Sequence, residues 1–216
     1  MRGLWLRLLL RAIQALDRRR LRRLQRRHPG LWIDPTASTN LAVARFELAP
    51  GAELRIGAGV VTERFPGAVV FHVERGGRME IGSDVWLRSE FASLYLASFE
   101  GARLSIGDGC WLSGCHLSAK QSLTLGTGGW VGPGCRVLDA DQHALDAEHP
   151  ERRAAVTIGD YVWLTTDVTV LRGVRIGSHS VVGARSLVVH DIPEHSLAFG
   201  SPAQVRGLVG DRSVVR

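Results

Sequence analysis

A short unit repeats along most of the sequence, and it restricts the possible folds more than any other feature. The unit is an aliphatic residue, a glycine, three variable residues, a tryptophan and a second aliphatic residue. It occurs at 81–87 (IGSDVWL), 106–112 (IGDGCWL), 125–131 (LGTGGWV) and 158–164 (IGDYVWL), with related copies lacking tryptophan at 56–61 and 176–183. The two aliphatic residues lie six positions apart, which indicates one short strand and one turn per six residues.

Three such units make a triangular coil of 18 residues. The aliphatic-glycine pairs that begin at 56, 81, 106, 125, 158 and 176 are 25, 25, 19, 33 and 18 residues apart, or one coil plus 7, 7, 1, 15 and 0 residues. An α-helix would place aliphatic residues of this period on different sides, and an antiparallel sandwich requires no such register. We therefore predict an all-β solenoid of parallel strands with a narrow aliphatic core. The glycine would allow a turn that a Cβ would resist.

The positive charge is confined to one end of the chain. The whole chain has 27 Lys and Arg, 21 Asp and Glu, and a net charge of +6. Residues 1–30 contain ten arginines and one acid, Asp17, so residues 31–216 have 17 basic and 20 acidic side chains and a net charge of −3. Because the solenoid adds no basic patch, we expect no nucleic-acid partner.

The basic segment predicts an amphipathic helix over residues 4–27, ended by Pro29 and Gly30. One face is polar and the opposite face apolar: Arg7, Arg11, Gln14, Arg18 and Arg22 against Leu6, Leu9, Ile13 and Leu16. Two interpretations remain open, namely peripheral contact with an anionic membrane and packing on the solenoid with a solvated arginine face. The apolar run is too short and too interrupted for a membrane span or signal peptide, so we expect a cytoplasmic protein, at most peripheral to the inner face of the membrane.

The three cysteines, Cys110, Cys115 and Cys135, form no CxxC pair and are odd in number. They predict small buried side chains in a reducing compartment rather than disulfides or a zinc site.

The largest insertion, 138–155 (LDADQHALDAEHPERRAA), interrupts the repeat between Leu125 and Ile158. Long excursions from a rigid scaffold are commonly functional. His143 is the residue best suited to remove a proton from a hydroxyl, and either Asp141 or Asp146 could orient its ring. The spacing alone does not decide which acid does so.

These motifs resemble the hexapeptide-repeat acyltransferases, most strongly the sugar and polysaccharide O-acetyltransferases. The resemblance covers roughly residues 50–207 and is most specific over 139–207. It implies a left-handed parallel β-helix, a homotrimer, and direct transfer of acetyl from acetyl-CoA to a sugar or glycan hydroxyl in surface-polysaccharide or glycolipid biosynthesis. It further implies that His143 is the general base and that no metal is needed.

The resemblance also implies a CoA-binding groove in the last coils. Three segments carry it: 162–177 (VWLTTDVTVLRGVRIG), 181–193 (VVGARSLVVHDIP) and 200–207 (GSPAQVRG). The residues that match the family's binding positions are Trp163, Thr166, Ala184, Arg185, Ser201 and Arg206. The match is imperfect, because Thr165 replaces a usual glycine. Gln204 and Gly207 also occupy positions that are usually basic in the family. Arg206 or Arg185 would then bind the CoA phosphates.

Several alternatives remain. The enzyme could acetylate an amine of an amino sugar or antibiotic, or the chain could be a non-catalytic scaffold. A metal enzyme of the γ-carbonic-anhydrase kind needs histidines on adjacent coils, and we expect no such register.

The tryptophans of the repeat should point outward on one face, for subunit packing or glycan stacking. Lys120 lies near a position where some relatives have an acid. The organisation predicted is a helix over 1–30, a solenoid over 31–199 and a tail over 200–216.

Overall fold

The computed structural model describes residues 2–215, and the side chains of residues 5–215. One helix, α1 (Arg2–Arg27), precedes 22 short strands, and a 3₁₀ turn at Thr39–Val43 follows the first strand. The first eleven strands are β1 (Leu31–Ile33), β2 (Arg45–Leu48), β3 (Glu53–Ile56), β4 (Val61–Thr62), β5 (Val69–Val73), β6 (Arg78–Ile81), β7 (Trp86–Arg88), β8 (Leu94–Ser98), β9 (Arg103–Ile106), β10 (Trp111–Ser113) and β11 (His116–Ala119). The remaining eleven are β12 (Ser122–Leu125), β13 (Trp130–Val131), β14 (Arg136–Leu138), β15 (Val156–Ile158), β16 (Trp163–Leu164), β17 (Thr169–Val170), β18 (Arg175–Ile176), β19 (Val181–Val182), β20 (Leu187–Val188), β21 (Ser196–Gly200) and β22 (Ala203–Leu208).

The strands form the three faces of a triangular prism, and each face is one sheet. Sheet A has the order β1-β3-β6-β9-β12-β15-β18, sheet B the order β2-β5-β8-β11-β14-β17-β20, and sheet C the order β22-β21-β19-β16-β13-β10-β7-β4. From β3 to β20 the chain visits sheets A, C and B in turn, and β21 and β22 then pair antiparallel at the end of sheet C. The fold is a left-handed parallel β-helix, as the resemblance implies.

The aliphatic positions of the repeat stack in register through the core. Ile56 pairs with Ile81, Ile81 with Ile106, and the column continues through Leu125, Ile158 and Ile176. Every member of this column is at most 3% exposed. Burial of each such side chain contributes about 1.5–3 kcal/mol. The predicted register is therefore confirmed, and the extra residues of the long coils lie outside it.

The glycine that follows each aliphatic residue has a different role from the one expected. These glycines do not adopt positive φ; the positive φ falls two residues later, at positions such as Gly59, Asp84 and Gly109. A Cβ on Gly107 would instead lie 2.7 Å from the backbone of Gly126 on the next coil. The glycines are thus required because successive coils touch at this corner, and the expectation about the turn conformation was wrong.

The helix and the last strand both fold against the prism. Leu21 of α1 is buried, and Asp17 forms an ion pair of 2.5 Å with Arg64. Since β22 pairs with β21, a boundary at residue 200 divides a hairpin of sheet C. Across residues 2–215, no helix combines the length and the hydropathy that a membrane span requires.

We expect Gly107→Ala to destabilise the prism, because its Cβ would overlap three backbone atoms of the next coil. Overpacking of this kind costs about 1–3 kcal/mol, which should lower the melting temperature by several degrees. Gly210→Ala is the matched control, since nothing lies within 4 Å of its Cβ. Equal melting temperatures for the two variants, followed by circular dichroism, would show that the coils do not need this contact.

Candidate active site

A buried carboxylate fixes the start of the 138–155 loop. Asp139 is fully buried, and its two oxygens accept hydrogen bonds from the backbone N–H groups of Lys120, Gln121 and Ser122 at 2.7–2.8 Å. The carbonyl of Asp139 also accepts a hydrogen bond from the N–H of Ala154, which lies near the end of the loop. One residue therefore joins the loop to the preceding coil and closes it upon itself.

Lys120 holds the loop at two further points. Its ammonium group donates to the carbonyl oxygen of Gln142 at 2.8 Å and to the carboxylate of Glu151 at 2.5 Å, and its side chain is only 14% exposed. Gln142 has a φ of 72°, so this bond stabilises a strained backbone beside His143. The sequence offered one signal for this role, because Lys120 is the only lysine among 27 basic residues.

The two candidate partners of His143 bind other groups. Asp141 pairs with Arg172 at 2.5 Å, and the Arg172 hydrogen bond lowers the pKa of this carboxyl. Asp146 accepts from His149 at 2.7 Å, and that contact lowers the pKa of Asp146. His143 is exposed, and within residues 5–215 its ring has no hydrogen bond or ion pair. The assignment of an orienting carboxylate therefore remains a prediction, with Asp141 and Asp146 both engaged elsewhere.

Most of the predicted CoA-binding residues follow one edge of the prism, where the chain turns from sheet C to sheet B. The N–H of Arg185 donates to the carbonyl of Thr166 at 2.9 Å, so these turns stack directly. Thr166, Ala184 and Ser201 are exposed, and the Arg185 side chain is 87% exposed with its Nε 3.9 Å from Asp167. Trp163 lies on sheet C beside this edge. Arg206 is exposed at the irregularity where β22 pairs with β21.

The His143 loop leaves the prism at a different edge. It connects β14 of sheet B to β15 of sheet A, whereas Thr166 lies between β16 of sheet C and β17 of sheet B. The two groups of predicted residues thus start from separate edges, with sheet B between them. One chain therefore presents the exposed His143 on one edge and the exposed Thr166 and Ala184 on another.

The tryptophans of the repeat form a ladder on sheet C, as predicted. Trp86, Trp111, Trp130 and Trp163 are paired in register, and neighbouring ring centroids are 5.1–6.1 Å apart. The ladder is only partly exposed. The guanidinium of Arg212, from the C-terminal tail, lies 5.3 Å from both the Trp130 and the Trp163 rings, a contact that the sequence did not reveal.

Two histidines do follow the coil register, against expectation. His179 and His195 occupy equivalent turns, and their rings stack with centroids 4.7 Å apart, with Tyr161 stacked on the other side of His179. In the described part of the chain, no group of three or more His, Cys, Asp or Glu side chains is arranged to hold a metal ion.

The cysteines are buried free thiols, as predicted. Burial raises the pKa of Cys110 to about 12 and that of Cys135 to about 11, and it raises the pKa of Cys115 further still. Because the thiolate is the reactive form, none of the three is suited to act as a nucleophile.

Comparison with known proteins supports the resemblance. No family model matches the chain. A galactoside O-acetyltransferase from Lactococcus lactis is 42% identical over 78 residues, which are 34% of this chain and 38% of that protein. The chain thus spans only about a third of the length of the curated relatives that it matches.

Two solved structures share the fold. The polySia specific acetyltransferase NeuO superposes with a TM-score of 0.59 at 18% identity, over 80% of this chain and 79% of NeuO. A mutant of AntD, an N-acyltransferase from Bacillus cereus in complex with dTDP-4-amino-4,6-dideoxyglucose and Coenzyme A, has a TM-score of 0.51 at 14% identity, over 78% of this chain and 87% of that chain. The expected resemblance to hexapeptide-repeat acetyltransferases is confirmed.

Lys120→Met should release the loop without unfolding the prism. Loss of a charge-assisted hydrogen bond costs about 1.5–3 kcal/mol, so hydrogen exchange of residues 138–155 should accelerate by on the order of tenfold or more. The control is Arg153→Met, which removes the more exposed partner of the same Glu151 carboxylate. If Lys120→Met and the wild type exchange at the same rate in this segment, Lys120 does not hold the loop.

The Glu151 pair also predicts a pH dependence. The hydrogen bond from Lys120 lowers the pKa of Glu151 below its ordinary value, so the pair stabilises the fold above about pH 4.3 and stops doing so as the pH falls through the lowered pKa. In urea titrations, Glu151→Gln should therefore be less stable than the wild type at pH 7 and at pH 5, and the difference should vanish below that pKa. A difference that grows towards low pH would have the wrong sign.

Proposed function

We propose that this chain, which shares fold and local sequence with the hexapeptide-repeat acetyltransferases, transfers acetyl from acetyl-CoA to a sugar hydroxyl. The observation that supports this best is the tethered loop. An otherwise regular prism carries one long excursion, anchored by the buried Asp139 and by Lys120, with an exposed histidine between the anchors.

The proposed transfer needs one proton acceptor, which is His143. The neutral imidazole of His143 accepts the proton of the acceptor hydroxyl. The oxygen then forms a bond to the acetyl carbonyl carbon, the carbon–sulfur bond breaks, and the CoA sulfur leaves with a proton returned by His143. The acetyl group passes directly to the acceptor, since the three thiols are buried with raised pKa values.

The exposed edge beside sheet C suits a long, phosphate-bearing donor. Thr166, Ala184 and Ser201 offer backbone and hydroxyl groups along successive turns, and Trp163 offers an apolar ring beside them. Arg185 is an exposed guanidinium group on this edge and Arg206 is an exposed one on β22, and guanidinium groups pair well with phosphate. We assign the donor to this edge.

A homotrimer would bring the two edges together. Within one chain, His143 and Thr166 start from different edges of the prism. In a closed ring of three copies, the loop edge of each copy can face the donor edge of the next. The active site in this proposal is therefore shared between subunits, with His143 and the donor-binding residues supplied by different copies.

The acceptor is a sugar or glycan, by analogy with the relatives named above. An exposed loop leaves room for a large acceptor, and we propose a precursor of a surface polysaccharide or glycolipid, modified in the cytoplasm at the inner face of the membrane. N-acetylation is the second candidate, because the AntD neighbour is an N-acyltransferase. Acetyl-CoA consumption with matched sugars and amino sugars separates the two, and a non-catalytic scaffold would consume none.

His143→Ala should lower kcat for acetyl transfer by about 10²–10⁴-fold, the usual contribution of a general base. His149→Ala is the matched control. It removes a second histidine of the same loop, one that is paired with Asp146, and should retain most of the activity. CoA release measured with a panel of sugars would provide the assay. Full activity of His143→Ala on the true acceptor would exclude His143 as the base.

A further inference from the structure

Helix α1 consists of two halves with opposite surroundings. The second half, residues 17–27, is fastened to the first coil of the prism. Asp17 is buried and paired with Arg64, and Leu21 belongs to the hydrophobic core. The Gln25 side-chain oxygen accepts the backbone N–H of Ile33 at 2.9 Å, and Arg18 donates to the carbonyl of Pro35 at 2.7 Å. This half has the packed environment of an ordinary surface helix.

The first half, residues 5–16, has large apolar side chains that remain in solvent. Six of them are 49–73% exposed: Trp5, Leu6, Leu8, Leu9, Leu10 and Leu16. At about 1.5 Å per residue this half extends about 18 Å. Exposed apolar surface that is this continuous marks an interaction site in a soluble protein. It is the largest cluster of exposed aliphatic and aromatic side chains in the described residues.

The charges around this apolar segment are all positive. Arg7 and Arg11 lie within it, and the only acid of residues 1–30, Asp17, is buried against Arg64. At 100° per residue, Arg7 and Arg11 fall on one narrow side of the helix, in line with Arg18 and Arg22 of the second half. The apolar residues occupy the rest of the circumference. A wide apolar surface flanked by a row of arginines is typical of helices that lie in the interface of an anionic bilayer.

We propose that residues 5–16 insert into the headgroup region of an anionic membrane, while residues 17–27 hold this segment rigidly on the prism. A second copy of the chain is a less suitable partner, because helices with ten arginines and one buried acid repel one another. Anionic lipid headgroups instead neutralise the arginine row and accept the apolar side chains. Because α1 is continuous from Arg2 to Arg27, the prism is held at a set orientation and not on a flexible tether.

Of the helix predicted over residues 4–27, only residues 5–16 would then contact the membrane. The sequence left two interpretations of this helix open, membrane contact and packing on the solenoid. We propose the first for residues 5–16, and the second describes residues 17–27. Deleting residues 1–27 would therefore be a poor test, since it would also remove Leu21 from the core and Asp17 from Arg64. Substitutions in the exposed half leave the packed half intact.

The test is co-sedimentation of the full-length protein with vesicles, either phosphatidylcholine alone or a mixture with phosphatidylglycerol. We expect the wild type to bind only the mixed vesicles. Leu6→Gln with Leu9→Gln should weaken this binding at least tenfold, and Arg7→Gln with Arg11→Gln should weaken it and reduce its dependence on salt. Leu208→Gln, which changes a still more exposed leucine on β22, is the control and should bind like the wild type. Melting curves verify folding, and deletion of residues 1–16 serves as a second variant.

Two results of the sedimentation assay would overturn the proposal. One is absence of binding of the wild type to the mixed vesicles, and the other is wild-type binding by the Leu6/Leu9 variant. Light scattering on the same samples identifies self-association, because a smaller oligomer in the Leu6/Leu9 variant would assign the surface to a second copy. The outcome is independent of the proposed acetyl transfer. An inactive protein that binds anionic vesicles refutes the activity alone, and an active protein that ignores them refutes the membrane contact alone.

Discussion

The close approach of successive coils is the constraint on which the rest of the molecule depends. Parallel strands lie about 4.8 Å apart, and at the corner after each core isoleucine the backbone of one coil leaves no room for a side chain on the next, as at Gly107 and Gly126. An inserted residue cannot stay in such a stack without breaking its register, so insertions leave at the edges. The 138–155 loop is the longest of these, and the prism provides a rigid base for it.

That base explains how a solvent-exposed histidine can be held in place. Asp139 and Lys120 are buried or nearly so, and each joins the loop to the coil before it. The Asp139 carboxylate and the Lys120 ammonium group have hydrogen-bond partners of their own. His143 therefore lies exposed between two fixed points of the loop. The edge proposed to bind the donor differs from the loop, because its exposed side chains lie on turns that stack directly on one another. The division of these functions between two edges of one prism is what makes assembly with further copies part of the proposed mechanism.

The pattern of residues 4–27 was enough to predict the helix. The repeat period was enough to predict the solenoid, the core column and the outward tryptophans, because each depends on residues close in sequence or one coil apart. The repeat period was not enough to predict side-chain contacts between segments that are far apart in the sequence. The spacing leaves both Asp141 and Asp146 open as partners of His143, and it does not show that Arg172, 31 residues from Asp141, binds Asp141. The Lys120–Glu151 pair and the contact of Arg212 with the tryptophan ladder join distant segments in the same way. The glycines of the repeat were expected to allow a turn conformation. The sequence of a single repeat unit does not show their contact with the next coil.

The proposed mechanism requires His143 of one subunit and the donor edge of another to act together. Subunit complementation tests it most directly: His143→Ala protein is mixed and reassembled with protein in which Ala184→Trp obstructs the donor edge. Each variant alone should be inactive, and the mixed oligomers should regain acetyl transfer, because some sites then combine an intact loop from one copy with an intact edge from another. Mixed oligomers as inactive as the two single variants would show that no active site combines His143 and the donor edge from different subunits.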